Sequence, residues 1–133
     1  MAYRGWRRNG TKYNAHKVTI DGITFDSKHE AERYCQLKLL QRAGQISNLE
    51  LQKEFELIPN QYATEERYGK NGKRLKDKQI LLERRCVYKA DFYYTDNETG
   101  KKVVEDAKGM RLSDYKIKRK LMLYVHGIEI QEV

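Results

Sequence analysis

The chain has 133 residues, enough for one domain with a real core and little room for a second. Lys and Arg number 27 against 19 Asp and Glu, and the net charge of +8 points to a polyanionic partner such as nucleic acid. Aromatics at 11%, ten of them Tyr, exclude a disordered basic tail; the lack of any apolar run near 18 residues excludes a spanning helix; and Cys35 and Cys86, far apart and without ligand neighbours, exclude a zinc site.

Residues 1–16 carry Arg4, Arg7, Arg8, Lys12 and His16 among Gly, Asn and aromatics, and read as a mobile basic arm ahead of one domain over 17–133. This polar start is unlike a signal peptide, so a cytoplasmic protein with reduced thiols is expected. Val18, Ile20, Ile23 and Phe25 alternate about Asp21-Gly22, the pattern of a two-residue hairpin. Ser27 then opens a helix, with Glu30 three residues on as a capping box. Its apolar arc is Ala31, Tyr34, Cys35, Leu37 and Leu39, and Gly44 stops it. At roughly 100° per residue, Glu30 falls inside that arc. A carboxylate there needs a partner, either the N-cap amide or a metal.

Leu49–Ile58 alternates with a phase change near Gln52-Lys53-Glu54, which predicts a bulged strand. The polar stretch at about 60–80, with Asn71-Gly72, is either a long loop or an exposed hairpin tip. Ile80–Thr95 reads as one long strand, Asp96–Gly100 as a turn, and Lys101–Lys108 as the next strand. Ser113 can cap a second helix to about Val125, with Ile117, Leu121, Tyr124 and Val125 inward. Gly127 ends it, and Ile128 to Val133 form a last short strand. The order β-hairpin, α, β, β, β, α, β predicts an α/β fold with a mixed central sheet flanked by helices.

Asp106 and Lys108, two apart on a strand, share a face. A turn centred near Asn97-Glu98 makes Asp91 a near cross-strand partner of Asp106. Two facing carboxylates repel unless a cation or proton lies between them. Mg²⁺ removes that conflict, since it takes one or two carboxylates together with waters and phosphate oxygens. A solvated edge strand, or a Lys108–Asp91 ion pair, are the plainer readings of the same residues. Arg111, Lys116, Lys118 and Lys120 around the second helix are candidate phosphate contacts or a solvated basic stripe, and the charged segment Arg67–Lys78, with Arg74 and Lys76, reads as a mobile DNA clamp or a disordered insertion. His16, His29 and His126 form no ligand or triad spacing, and no P-loop or dinucleotide-binding glycine pattern is present.

A helix Glu, an Asp on one strand, D-x-K on the next and then a helix resembles the PD-(D/E)xK nuclease superfamily. More narrowly, FDSKHEAERY, LELQKEFELIP, YKADFYY and VVEDAKG, in that order, are similar to a small phage and prophage family assigned to it. The resemblance spans Val18 to Val133 and implies a restriction-endonuclease-like core. It implies that Asp91, Asp106, the carbonyl of Ala107 and Glu30 hold Mg²⁺ or Mn²⁺, and that Lys108 is the motif lysine. Ala90 stands where the name-giving proline would be, and Gln52 matches a glutamine sometimes found near such sites. The implied activity is metal-dependent DNA hydrolysis on branched or nicked DNA, in phage recombination, replication or packaging, within the host bacterial cytoplasm. A homodimer would supply two sites for two strands, and the hairpin Val18–Phe25 is one candidate surface for it. The alternative is a nucleic-acid-binding module with a nuclease-like fold that does not cut.

Overall fold

A computed structural model describes residues 16–107 and 112–133. The basic arm, apart from His16, and Lys108 to Arg111 lie outside the described residues. The fold is mixed α/β. Strands β1 (Val18–Ile20) and β2 (Ile23–Phe25) are followed by α1 (Lys28–Arg42), β3 (Ile46–Ile58), β4 (Gln61–Tyr68) and β5 (Arg74–Glu83). Then come β6 (Cys86–Asp96), β7 (Lys102–Asp106), α2 (Ser113–Leu121), a π-helical turn over Met122–His126, and β8 (Gln131–Glu132). No described helix is long and apolar enough to cross a membrane.

The local signals explain most elements. Asp21 and Gly22 both adopt positive φ, 53° and 74°, which closes the β1–β2 hairpin. Its apolar side chains do not form a free surface: Phe25 is buried, and Val18, Ile20 and Ile23 pack against the same core as α1. The Ser27 hydroxyl accepts from the Glu30 backbone N–H at 3.1 Å and caps α1. The helix buries Glu30, Ala31, Tyr34 and Leu37, whereas Cys35 and Leu39 face solvent, contrary to the predicted arc. The buried stripe is narrower than predicted because residues three and four apart, not adjacent ones, share a face.

The main sheet has the order β3-β6-β7-β8. Its pairs are antiparallel except β7–β8, which is parallel and makes the sheet mixed. One face carries a core of Phe25, Ala31, Tyr34, Leu37, Ile46, Phe92, Tyr94 and Ala107, under α1 and the small hairpin. The other carries Leu57, Tyr88, Ala90, Val104, Tyr115, Met122 and Ile130, under α2 and the π turn. The predicted inward set of the second helix is corrected: Ile117, Tyr124 and Val125 are exposed, and Tyr115 and Met122 are buried instead. Ser113 starts the helix without capping it, the N-cap position being Leu112. The π turn shifts the helical phase after Leu121, which is why a plain 3.6-residue period misassigns Tyr124 and Val125. His126 in that turn hydrogen-bonds through Nε2 to the Glu56 carbonyl at 2.7 Å.

The segment near 60–80 is a hairpin. β4 and β5 pair only with each other, and the predicted strand Ile80–Thr95 is broken at Arg84-Arg85, its first residues belonging to β5. No residue from Pro59 to Arg85 enters either core.

β3 and β6 change faces together. Leu51 and Phe92 belong to the α1-side core, while Phe55 and Tyr88, in the same alternation, belong to the α2-side core. The crossover falls at Gln52, a non-glycine residue at φ 54°, opposite Asp91. The phase change read near Gln52 is this turn-over of the strand.

Arg33 and Glu105 bind α1 to β7. The guanidinium donates to both carboxylate oxygens, at 2.6 Å from Nε and 3.0 Å from the far nitrogen, and the Tyr94 hydroxyl donates to Oε2 at 2.5 Å. Glu105 is only 1% exposed, so removing its cation leaves a desolvated charge. Arg33→Met is expected to cost about 3–5 kcal/mol in urea unfolding. Adding Glu105→Leu and Tyr94→Phe should recover most of that loss, because no polar group is then left buried without a partner.

Candidate active site

Four elements converge at the carboxyl end of β7. Glu30 comes from the first turn of α1, Gln52 from the crossover of β3, Asp91 from β6 and Asp106 from the last position of β7. Phe92 pairs with Glu105, and the same register carried one residue on sets Asp91 opposite Asp106, as the turn predicted. Alternation along β7 sends its two acids to different layers. Glu105 turns to Arg33 on the α1 side, and Asp106 turns to Tyr88 on the α2 side, taking the hydroxyl hydrogen bond on Oδ2 at 2.7 Å. Burial and that bond keep the Tyr88 hydroxyl protonated far above the usual tyrosine range.

Asp91 reaches around the end of β7. Its Oδ2 accepts from the Ala107 backbone N–H at 2.8 Å, and its Oδ1 accepts from the Gln52 side-chain amide at 3.2 Å. The same Gln52 nitrogen lies 3.3 Å from Glu30 Oε1, so one amide spans carboxylates from a helix and a strand. Val133 closes the group, its N–H donating to the Asp106 carbonyl at 3.0 Å while His29 Nε2 donates to its carbonyl at 2.8 Å. Glu30, Asp91 and Asp106 are all under 10% exposed.

Crowded, desolvated carboxylates disfavour their own ionisation. The Glu30 carboxyl is pushed up to about 7, first by burial, then by the negative charges of Asp91 and Asp26, with a smaller push from Asp106. The Asp26 backbone amide acts the other way. Glu30 thus gives its backbone N–H to the Ser27 cap while its side chain faces the other acids.

Asp91, Asp106, Glu30 and the carbonyl of Ala107 offer only hard oxygen. That chemistry fits Mg²⁺ or Mn²⁺, which need one or two carboxylates and complete their shells with water and phosphate. It is not a closed cage. Among the described residues, no three His, Cys, Asp or Glu side chains are placed to hold a metal ion together.

Of the predicted site residues, Glu30, Asp91, Asp106 and Ala107 are brought to one place. Lys108 and Arg111 lie outside the described residues. Lys116, Lys118 and Lys120 line α2, with Lys116 and Lys120 fully on the surface one turn apart. Arg74 and Lys76 are on β5, in a different sheet from the acids, and Arg74 already bonds Asp77 at 3.2 Å. Tyr88 and the bridging geometry of Gln52 were not foreseen. Alternation gave a signal for Tyr88, which sits three residues before Asp91 on a buried run, but not its partner across the sheet.

The sign of the Glu30 shift fixes a pH dependence. Its folded value, about 7, exceeds the ordinary 4.5, so the folded chain holds this proton more tightly than the unfolded one. The stability that comes from the neutral acid is complete below 4.5 and is lost as pH rises through about 7. Glu30→Gln, a permanent mimic of the neutral form, should raise the melting temperature at pH 8 by roughly 3 °C or more and flatten its fall between pH 5 and pH 8. Thermal melts across that range in metal-free buffer check this.

No curated protein and no solved structure matches the chain. A family model described as "Protein of unknown function (DUF1064)" matches residues 10–130, nearly the whole length, and the chain belongs to that family.

Proposed function

We propose that this protein is a metal-dependent DNA endonuclease with a restriction-endonuclease-like core of the PD-(D/E)xK kind. The observation that carries the reading is the gathering of Glu30, Asp91 and Asp106, from three separate elements, at one buried end of the central sheet. Buried like charges cost free energy, and a fold that assembles three of them in a chain of net charge +8 suits a phosphodiester and its counter-cation.

Asp91, Asp106 and the Ala107 carbonyl would hold Mg²⁺ or Mn²⁺, with Glu30 close by. The ion would supply Lewis acidity toward the phosphate and toward an attacking water. Lys108 would orient that water or take its proton. Tyr88 fixes the rotamer of Asp106, and Gln52 fixes Asp91 relative to Glu30. Lys116 and Lys120 would grip flanking phosphates, with Lys118 and Arg111 nearby in sequence. Hydrolysis leaves a 5′-phosphate and a 3′-hydroxyl. The substrate would be branched or nicked DNA met in phage recombination, replication or packaging in the bacterial cytoplasm, and a homodimer would place two sites on two strands.

A second reading, a module that holds DNA without cutting it, draws on the open geometry of the acids, no three of which are placed to ligate one ion among the described residues. Nicking of supercoiled plasmid and cleavage of a four-way junction, with Mg²⁺ or with chelator, separate the two. Asp106→Asn and Lys108→Ala should each lower Mg²⁺-dependent cleavage by roughly 100-fold or more, with circular dichroism and DNA retention close to wild type. Full activity in either purified variant overturns the endonuclease reading. DNA retention by a wild-type chain that cuts nothing favours the second.

A further inference from the structure

The β4–β5 ribbon supports neither core, yet it is a fifth element pair built with regular register over most of its length. Eight residues of β4 at about 3.3 Å each make an arm on the order of 25 Å long. A two-stranded ribbon gains little by itself in water. The segment Arg67 to Lys78 holds Arg67, Lys70, Lys73, Arg74, Lys76 and Lys78 with Asp77 as its acid, and Glu65 and Glu66 stand across from its last residues on β4.

The register decides how those charges are displayed. Arg67 pairs with Leu75, and the adjacent Tyr68 pairs with Arg74. Cross-strand partners share a face and neighbours along a strand do not. Each face of the tip therefore presents a guanidinium beside a large exposed apolar side chain: Arg67 with Leu75 on one, Arg74 with Tyr68 on the other. Lys70 and Lys73 flank the turn between them, where Gly72 takes a φ of 75°. Arg74 spends part of its charge on Asp77 and Glu66, at 3.2 and 3.8 Å, but these pairs are solvent-exposed and cost little to exchange for phosphate.

A platform for single-stranded nucleic acid needs its rings and cations on one face. Cations on both faces instead suit a slot with phosphates on both walls. The major groove of a DNA duplex is such a slot, about 12 Å wide, and it admits a two-stranded ribbon whose thickness with side chains is about 10 Å. We infer that the tip of the β4–β5 ribbon is a duplex-DNA grip that enters the major groove, Arg67, Lys70, Lys73 and Arg74 contacting phosphates of the two walls, with Leu75 and Tyr68 beside the guanidiniums on the same faces. This names the substrate class of the endonuclease proposed above and rests on that reading for its DNA partner, though its test reads binding and not cleavage.

The test uses the full chain carrying Arg67→Gln, Lys70→Gln, Lys73→Gln and Arg74→Gln together, all at exposed positions. Fluorescence anisotropy measures affinity for a short fluorescein-labelled duplex, and for one of its strands alone, over a series of salt concentrations. The expected result is a loss of duplex affinity of roughly tenfold or more, a salt slope smaller by about 3, and a lesser loss on the single strand. Unchanged duplex affinity and slope overturn the inference, as does an equal loss on both DNAs. A change in sedimentation coefficient with DNA affinity intact overturns it too, and assigns the ribbon to self-association. The two proposals fail separately: a wild-type chain that binds duplex through the ribbon but never nicks it refutes the endonuclease alone, and one that nicks as wild type but keeps its full duplex affinity with the quadruple change refutes the grip alone.

Discussion

The buried bond between Arg33 and Glu105 is the constraint on which the arrangement of this molecule turns. Glu30 stands one helical turn before Arg33, so the contact that ties α1 to β7 also sets the helix start over the end of that strand. On β7 itself, Glu105 and Asp106 are neighbours in sequence with opposite duties. Glu105 is neutralised by a guanidinium and a hydroxyl, while Asp106 faces the other layer. One strand thus spends a carboxylate on holding the layers together and offers the next at its end.

The second organising feature is the joint turn-over of β3 and β6. A left-handed conformation at a non-glycine residue costs on the order of 1–2 kcal/mol. At Gln52 that cost releases Gln52 and Asp91 from regular alternation, so that their side chains meet at the site and not in one of the cores. Strain located beside a cluster of acids is where function most often keeps it.

Much of this was legible in the residues. The Asp-Gly hairpin, the Ser27 cap and the pairing of Asp91 with Asp106 all follow from short-range rules about turns, caps and register, and the structure agrees with each. The buried placement of Glu30 followed from helical angle alone. What could not be read depends on contacts distant in sequence or on a change of period. The π turn moved Tyr124 and Val125 outward by resetting the phase, while Ile117, ahead of it, lies two residues from buried Tyr115 and so on the other face of α2. The residues at 60–80 suit either a loop or a hairpin because the apolar ones among them do not alternate toward any core. Glu105 went unnoticed because its partner lies 72 residues away on α1. Nucleic-acid binding and catalysis remain proposals that these residues motivate.

β3 borders the main sheet on one side only, since β6 is its single neighbour there. Thirteen residues of open strand would ordinarily be a template on which another molecule could lay its own strand. Here the outward row is interrupted. Asn48 and Gln52 twist the backbone out of the extended form, the ladder slips again near Ile58, and the imidazole of His126 occupies the carbonyl of Glu56. Exposed Glu50, Glu54 and Glu56 add charge along the same border, the first two paired with Lys53 and Arg85. The distortion that aims an amide at the acids therefore also guards the molecule against runaway sheet growth.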